Sequence, residues 1–258
     1  MYNITMKNKT KKFLDKLYEV EDFLLGANAC ICCGKECDSD NDYRLCSRCL
    51  KEIQFTQDKF CLRCGEILTG NYDFCYRCKD CEYDFDYARS VMAYTDKTSP
   101  IIMRFKYNGR KNYAKPLAYL LKDYFAKSDL IADALTFVPM PVKREKERGY
   151  NQGKELCIKF SELTGVPMID CLIRIKENVK QADLNAKQRA ENIKGSFAVI
   201  DKTLVKNKEF LIIDDVMTTG ATASECAKTL IKAGAKNVQV LTIAKTPSVE
   251  VGNMFDKN

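Results

Sequence analysis

The pattern of apolar and polar positions changes near residue 85 and divides the chain into two parts. Beyond that point, short apolar runs alternate with longer segments in which apolar residues recur every three or four positions. The runs are typical of strands, and the longer segments are typical of amphipathic helices. The predicted strands lie within residues 86–94, 134–142, 166–175, 210–216 and 237–245, and the predicted helices lie within 99–127, 149–165 and 222–235. This alternation predicts a parallel α/β sheet flanked by helices.

Two further segments carry weaker patterns. In residues 11–25, apolar side chains such as Phe13, Leu17, Val20 and Leu24 recur at spacings of three and four, which predicts an amphipathic helix. Its apolar face is expected to pack on the body of the protein, with a membrane surface or a partner as the alternative. Residues 176–197 are polar and at first irregular, which predicts a long mobile loop.

The N-terminal part is organised by cysteines. Of the fourteen cysteines, eleven lie between Cys30 and Cys81, and eight of these form four C-x-x-C pairs. Such pairs place two thiolates on one side of a tetrahedral zinc ion, and Gly34 and Gly65 allow the tight turn that follows. The predicted ligands are Cys30, Cys33, Cys46, Cys49, Cys61, Cys64, Cys75 and Cys78.

Four pairs give two zinc sites of four thiolates each. Sequential pairing, with the first two pairs on one ion and the last two on another, is favoured, and an interleaved pairing stays open. A closed shell of four thiolates leaves no open coordination position, so both sites are predicted to be structural. Cys32, Cys37 and Cys81 are surplus, although Cys81 could replace a neighbour as a ligand.

The amino-acid composition limits which catalytic and metal-binding groups the protein can use. The chain has 258 residues and no histidine, which excludes an imidazole base, a Ser-His or Cys-His pair and a histidine metal ligand. The formal net charge of +7 is compatible with a polyanionic partner but does not require one. The first residues are charged throughout and no run of about 18 apolar residues occurs, so no transmembrane segment is expected and a cytoplasmic location is favoured. Cytosolic cysteine clusters are more often metal sites than disulfides.

The segment FLIIDDVMTTGAT, residues 210–222, combines the features of a phosphate site. A buried strand delivers two acids at its carboxyl end, where ligands bind in parallel sheets. A loop with three threonines and one glycine follows, and the next helix points its positive end at the same place. The loop has no Walker sequence. An ordinary strand-to-helix turn with a threonine cap is the simpler alternative.

This segment resembles the signature of type I phosphoribosyltransferases. The resemblance implies that Asp214 and Asp215 hold the ribose hydroxyls of phosphoribosyl pyrophosphate and that Mg2+ bridges its pyrophosphate and ribose. It also implies a binding loop for the 5-phosphate. The implied phosphoribosyl-binding residues are Asp214, Asp215, Val216, Met217, Thr218, Thr219, Gly220, Ala221 and Thr222.

Most of the chain is similar to a narrower family. The segments FVPMPVKREKERGYNQGKEL, QADLNAKQRAENIKGSF and RFKYNGR, together with the four cysteine pairs, resemble the pattern of the ComF family. The resemblance implies a type I phosphoribosyltransferase-like sheet preceded by a double zinc ribbon. Implied boundaries are an N-terminal helix at residues 1–29, the ribbon at 30–84 and the phosphoribosyltransferase-like domain at 85–258.

Basic segments supply further candidates. Cations and aromatic rings alternate in residues 104–115, a combination typical of single-strand binding, although a solvated helix face is an equal alternative. The DNA-binding candidates are Arg104, Lys106, Tyr107, Arg110 and Lys111. By position, residues 143–154 resemble the family's pyrophosphate loop, and the segment after residue 176 resembles a lid. The candidates there are Lys143, Arg144, Arg148, Asn151, Gln181, Arg189 and Asn192.

Three functions are compatible with these features. The first is a ComF-type competence protein that handles incoming single-stranded DNA in natural transformation. Its predicted partners are the strand, phosphoribosyl pyrophosphate or a nucleotide, and the DNA-uptake helicase or translocase machinery, in the cytoplasm or at the inner face of the membrane. The second is an active phosphoribosyltransferase with an unknown acceptor. The third is a zinc-ribbon adaptor with a vestigial enzyme fold. No residue in the sequence identifies a catalytic group.

Overall fold

The computed structural model describes residues 29–38, 41–57, 59–107, 109–176 and 186–248. The predicted helix at residues 11–25 and the candidate Gln181 lie outside these ranges. The chain divides into two compact units, residues 1–52 and residues 53–258. Within the residues described, no helix combines the length and the apolar character that crossing a bilayer requires.

The described strands, in chain order, are β1 (Ala88–Ala93), β2 (Ala134–Phe137), β3 (Leu172–Arg174), β4 (Phe197–Val199), β5 (Glu209–Met217) and β6 (Asn237–Lys245). The described α-helices are α1 (Ser47–Glu52), α2 (Tyr76–Asp80), α3 (Ser99–Tyr107), α4 (Ala114–Lys127), α5 (Val142–Arg148), α6 (Gln152–Thr164), α7 (Ala186–Ile193) and α8 (Ala221–Lys232).

Four parallel strands form the central sheet in the order β1-β6-β5-β2. The middle strands β5 and β6 read as nearly continuous apolar runs because helices cover both of their faces. Phe210 and Ile212 face a core shared with α8. By alternation along the strand, Leu211 and Ile213 face the other side, where α4 and α6 pack. The predicted parallel sheet flanked by helices is confirmed.

Two predicted segments differ in detail from the structure. Only Leu172–Arg174 of residues 166–175 forms a strand, and it pairs with β4 in a separate antiparallel ladder. Upstream, Met168 makes a single bridge to Leu135 of β2. The polar segment predicted as a loop contains α7, whose start after a run of mixed polar residues is not visible in the apolar pattern.

The second cysteine cluster lies in the same compact unit as the sheet. Its four cysteines belong to the hydrophobic core that also contains Phe85, Phe210 and Ile212. The turn after Cys64 reaches the start of β1, where the Ala88 amide donates to the Arg63 carbonyl at 2.8 Å. Buried Arg89 donates to the Leu62 carbonyl at 2.9 Å and pairs with Asp129 at 2.9 Å. The second ribbon is therefore anchored on the sheet by backbone and side-chain contacts.

The two glycines that follow C-x-x-C pairs provide a matched test of this anchoring. Both have positive φ, +76° at Gly34 and +70° at Gly65. A Cβ on Gly65 would lie 2.8 Å from the Ala88 carbonyl oxygen, whereas a Cβ on Gly34 would meet nothing within 4 Å. We expect Gly34→Ala to cost about 1–2 kcal/mol from its backbone conformation alone. We expect Gly65→Ala to cost about 1–3 kcal/mol more through overpacking.

Urea denaturation, followed together with zinc release to a chromogenic chelator, measures both variants. Equal losses of stability in the two variants would contradict the close contact between the second ribbon and β1.

Candidate functional site

A cavity of about 360 Å³ opens where β5 and β2 end and α6 and α8 begin. One wall is the loop from Thr218 to Thr222, which joins β5 to α8. A second contains Asp214 and Asp215, and a third contains positively charged side chains. The parallel register puts these groups at one edge, because β5 and its neighbour β2 run in the same direction.

The loop has the backbone conformation that a phosphate site needs. Gly220 has φ +82°, in the left-handed region, and stands at the N-cap of α8. The helix begins at Ala221, so its positive end faces the cavity that Ala221 and Thr222 line. The loop residues from Thr218 to Thr222 all line this cavity.

The two acidic residues, Asp214 and Asp215, differ in their contacts. Asp215 is 6% exposed and forms an ion pair with Lys106, whose Nζ lies 3.0 Å from its Oδ1. Asp214 accepts the Asp215 amide at 2.8 Å. Burial and the neighbouring charge of Asp215 raise the pKa of Asp214 to about 7, while Lys106 and the amide partly offset them. Burial lowers the pKa of Lys106, but the two carboxylates outweigh it and hold that pKa above its usual value.

Four cations line the cavity: Lys106, Arg144, Arg148 and Arg174. Arg148 is held in place by a 2.9 Å hydrogen bond to Gln152 Oε1 and a 3.0 Å hydrogen bond to the Tyr107 hydroxyl. Burial, followed by the charge of Arg144, lowers the pKa of Arg174. Like charges held this close are stabilised by an anion between them.

Gln152 adds a polar group to the same wall. Its side chain is 1% exposed, and its Nε2 has no hydrogen-bond partner among the described residues. A buried donor without a partner is costly. Gln152 lines the cavity, and its Oε1 accepts from Arg148, which helps to position that cation.

The structure brings together only part of the predicted site. The predicted phosphoribosyl-binding residues from Asp214 to Thr222 all line the cavity, and so do Arg144, Arg148 and Asn151. Asn151 uses its side chain within the protein, donating to the Val138 carbonyl at 3.0 Å and capping α6. Lys143 is exposed and does not line the cavity. Arg189 and Asn192 lie on α7, and Asn192 does not line the cavity.

The five DNA-binding candidates are divided between two places. Lys106 points into the cavity, and exposed Tyr107 lies under the Arg148 guanidinium, 4.6 Å from ring centroid to carbon. Lys111 pairs with Glu155 at 3.0 Å, and neither Arg104 nor Arg110 lines the cavity. Lys106 is therefore part of the cavity wall beside Asp215 and not of a separate basic surface.

Among the cavity residues that were not predicted, three carry a functional side chain that bears on the site: Tyr94, Gln152 and Arg174. Gln152 stands next to Asn151 in the N-Q motif, which was a usable signal. Arg174 ends the short apolar strand β3, where its side chain gave no sign of its direction. Tyr94 follows β1, and only the strand order places that strand's end near the cavity.

The cysteines form two clusters in sequential pairing. The sulfur atoms of Cys30, Cys33, Cys46 and Cys49 lie within 4.8 Å of one another, and so do those of Cys61, Cys64, Cys75 and Cys78. Measured sulfur–sulfur distances are 3.8 Å for Cys33–Cys46 and 3.7 Å for Cys64–Cys75. A tetrahedron with Zn–S bonds of ~2.3 Å has edges of about 3.8 Å, so the residues fit zinc.

Each cluster is complete with four thiolates, which supports structural zinc ions. In the described part of the chain, Cys32, Cys37 and Cys81 belong to neither cluster, and Cys81 is exposed. A magnesium ion would bind in the cavity and not at the cysteine clusters. The carboxylates of Asp214 and Asp215 are the oxygen ligands available in the cavity, and they would hold the ion together with ligand phosphates.

Comparison with known proteins agrees with this architecture. A double zinc ribbon domain matches residues 20–82, and a phosphoribosyl transferase domain matches residues 153–252. Competence protein F of Haemophilus influenzae is 31% identical over 78% of this chain and 90% of its own length. DNA utilization protein YhgH of Escherichia coli K12 is 29% identical over the same shares.

Competence protein ComFC of Streptococcus pneumoniae is 26% identical over 80% of this chain and 90% of its own length. These relatives are thus matched over nearly their full length, through both the ribbon and the sheet. The chain belongs to the ComF family, in which a double zinc ribbon precedes a phosphoribosyltransferase domain.

Proposed function

We propose that the protein binds a phosphoribosyl group with Mg2+ in this cavity and uses it to handle single-stranded DNA in natural transformation. The observation that carries the proposal is the meeting of the Thr218–Thr222 loop and the acidic pair in one cavity. The names of the relatives, competence protein and DNA utilization protein, support the cellular role.

Different walls of the cavity can bind different groups of a phosphoribosyl ligand. The 5-phosphate would accept from the amides and hydroxyls of the loop, and Asp214 and Asp215 would accept from the ribose hydroxyls. Further phosphates, as in phosphoribosyl pyrophosphate, would lie against the arginines. The volume of about 360 Å³ falls within the ~300–1,000 Å³ typical of small-molecule sites.

Aromatic side chains beside the cations support a strand as the partner. Tyr107 is 60% exposed and lies against Arg148, which lines the cavity. On the second ribbon, Tyr72 and Tyr76 are 61% and 59% exposed, and Lys79 lies over the Tyr72 ring. Exposed rings next to cations suit bases and phosphates of a single strand. A strand in the cytoplasm would reach this surface from the uptake helicase or translocase machinery, including at the inner face of the membrane.

A second candidate function is phosphoribosyl transfer. The two carboxylates beside the phosphate loop favour it, because they can hold a metal ion that stabilises a leaving pyrophosphate. In such a reaction the bond from the ribose C1 to pyrophosphate breaks and a bond from C1 to the acceptor forms. The proton of the acceptor would pass to solvent, and pyrophosphate would be the leaving group, its charge stabilised by a Mg2+ held on Asp214 and Asp215.

The acidic pair provides the direct test of ligand binding. Phosphoribosyl pyrophosphate with Mg2+ should raise the melting temperature of the protein, because a ligand that binds only the folded state stabilises it. Asp214→Ala combined with Asp215→Ala should abolish the shift. Glu162→Ala, which removes an exposed acid on α6 paired with Lys159, should leave the shift intact. A full shift in the double variant would remove the acids from the site.

Magnesium affinity should depend on pH through Asp214. The metal needs the ionised carboxylate, so below the folded-state pKa of about 7 it must displace a proton. Magnesium affinity measured by calorimetry should therefore fall about tenfold per pH unit below pH 7 and level off above it. Asp214→Asn should bind more weakly and lose this dependence. The same slope in wild type and Asp214→Asn would assign the proton to another group.

Strand binding should depend on Tyr107. Fluorescence anisotropy with a labelled oligonucleotide should show salt-sensitive binding. Tyr107→Ala should weaken it by about 1–3 kcal/mol, the value of one stacked base. Met103→Ala removes a 47% exposed side chain from the same helix and serves as the control. Equal affinity in both variants would exclude Tyr107 from the strand path.

Turnover separates the two candidate functions. If the protein is a transferase, pyrophosphate release from phosphoribosyl pyrophosphate should require a free base or an oligonucleotide and should be lost in Asp214→Asn. If pyrophosphate release stays at the uncatalysed rate with every acceptor while the ligand still binds, the transferase function is rejected and only the binding function is supported.

A further inference from the structure

The loop that lines the cavity is held from behind by its carbonyl groups. The Thr218 carbonyl oxygen accepts from the Arg77 guanidinium at 2.8 Å and from Lys245 Nζ at 2.8 Å. The next carbonyl, that of Thr219, accepts from the Tyr83 hydroxyl at 2.9 Å. Two successive peptide groups of the loop are thus fixed, by donors that the predicted site did not include.

Two of these three donors come from the second ribbon and the segment that leaves it. Arg77 lies on α2, between Cys75, which caps the helix, and Cys78. Tyr83 follows two residues after Cys81 and stacks on Phe85, with ring centroids 4.7 Å apart. The position of the Arg77 guanidinium is therefore set by the same short turn that presents two sulfur atoms to the second cluster.

The carbonyl contacts determine where the amides of the loop point. No described peptide bond is cis, so each carbonyl and the following N–H lie on opposite sides of one planar group. Holding the Thr218 and Thr219 oxygens toward the ribbon turns the N–H groups of Thr219 and Gly220 the other way. Both residues line the cavity, so the amides are directed into it.

Two more contacts extend the attachment to the helix that follows. The Asp84 amide donates to the Ser224 hydroxyl at 2.9 Å, and that hydroxyl donates to the Asp84 carboxylate at 3.0 Å. A Cβ on Gly220 would lie 2.8 Å from the Tyr83 ring, so the ring also fills the space behind the loop. Residues 77–84 thus contact the loop and the first turn of α8.

We propose that the second zinc ribbon sets the affinity of the cavity for phosphate by positioning this loop, with Arg77 and Tyr83 as the positioning residues. The ribbon does not touch the ligand. It acts through the Thr218 and Thr219 peptide groups, and loss of its metal would release them. The proposal relies on the proposed function for the nature of the ligand, whereas the order of the loop can be measured without one.

The first experiment measures the loop itself. Hydrogen exchange in peptides covering residues 217–226 reports the amides that close the loop, including Ser224, whose N–H donates to the Gly220 carbonyl at 2.8 Å. Arg77→Ala should accelerate this exchange severalfold, and Arg77→Lys should restore part of the protection. Lys79→Ala, on the same helix but over the Tyr72 ring, is the matched control and should exchange like wild type.

The second experiment measures binding, with ribose 5-phosphate and magnesium chloride titrated separately by calorimetry. Arg77→Ala and Tyr83→Phe should weaken ribose 5-phosphate binding by about tenfold while magnesium affinity and the zinc content stay at the wild-type values. A general loss of folding would instead lower the zinc content, the melting temperature and both affinities together.

The two experiments separate the two proposals. Wild-type exchange at residues 217–226 in Arg77→Ala overturns the role of the ribbon, whatever binds in the cavity. Faster exchange in Arg77→Ala, in a protein whose wild type binds no ribose 5-phosphate, supports the positioning role and rejects the phosphoribosyl ligand. Unchanged ribose 5-phosphate affinity in both Arg77→Ala and Tyr83→Phe also overturns the proposed control of phosphate affinity.

Discussion

The burial of β5 on both faces is the constraint on which the site depends. Four residues from Phe210 to Ile213 are inaccessible to solvent, so the polar side chains of the strand are confined to its ends, with Glu209 at the amino end and the acidic pair toward the carboxyl end. Two adjacent carboxylates there would repel each other in a poorly hydrated place. The protein reduces that cost with a proton on Asp214 near neutral pH and with the Lys106 ion pair on Asp215.

The cavity therefore holds opposite charges in separate walls. Lys106 neutralises part of the acidic wall, while Arg144 and Arg174 repel each other on the basic wall. A ligand that carries both a metal ion and phosphates would reduce the repulsion on both walls. The metal ion would pair with the acids, and the phosphates would pair with the arginines. Under the proposed function, this complementarity would favour a metal-bound phosphate ester over either ion alone.

How far the sequence predicts this structure depends on the range of the interactions. The sheet strands and the loop after Asp215 could be predicted, because apolar runs, paired acids and a glycine act locally. The sequential grouping of the cysteines follows from closely spaced turns. Arg174, Tyr94 and the inward direction of Lys106 could not be predicted, since they depend on which strand ends and helices meet across the sheet.

The same limit applies to Arg77. In the sequence it is one more cation among several near the cysteines, and only the tertiary contact with Thr218, 141 residues later, gives it a role. Long-range contacts between a metal turn and a distant loop leave no periodic pattern in either segment. Structure was needed to connect them.

The division of the chain into compact units has a consequence for how such proteins can be assembled. The boundary lies between Glu52 and Ile53, inside the double ribbon and between its two cysteine clusters. Gene fusions or exchanges that join a new N-terminal segment at this point would keep the second cluster with the loop it contacts. A junction after the last cysteine pair would separate Arg77 from Thr218. The loop from Thr218 to Thr222 would then lack the hydrogen bond from Arg77 that holds it.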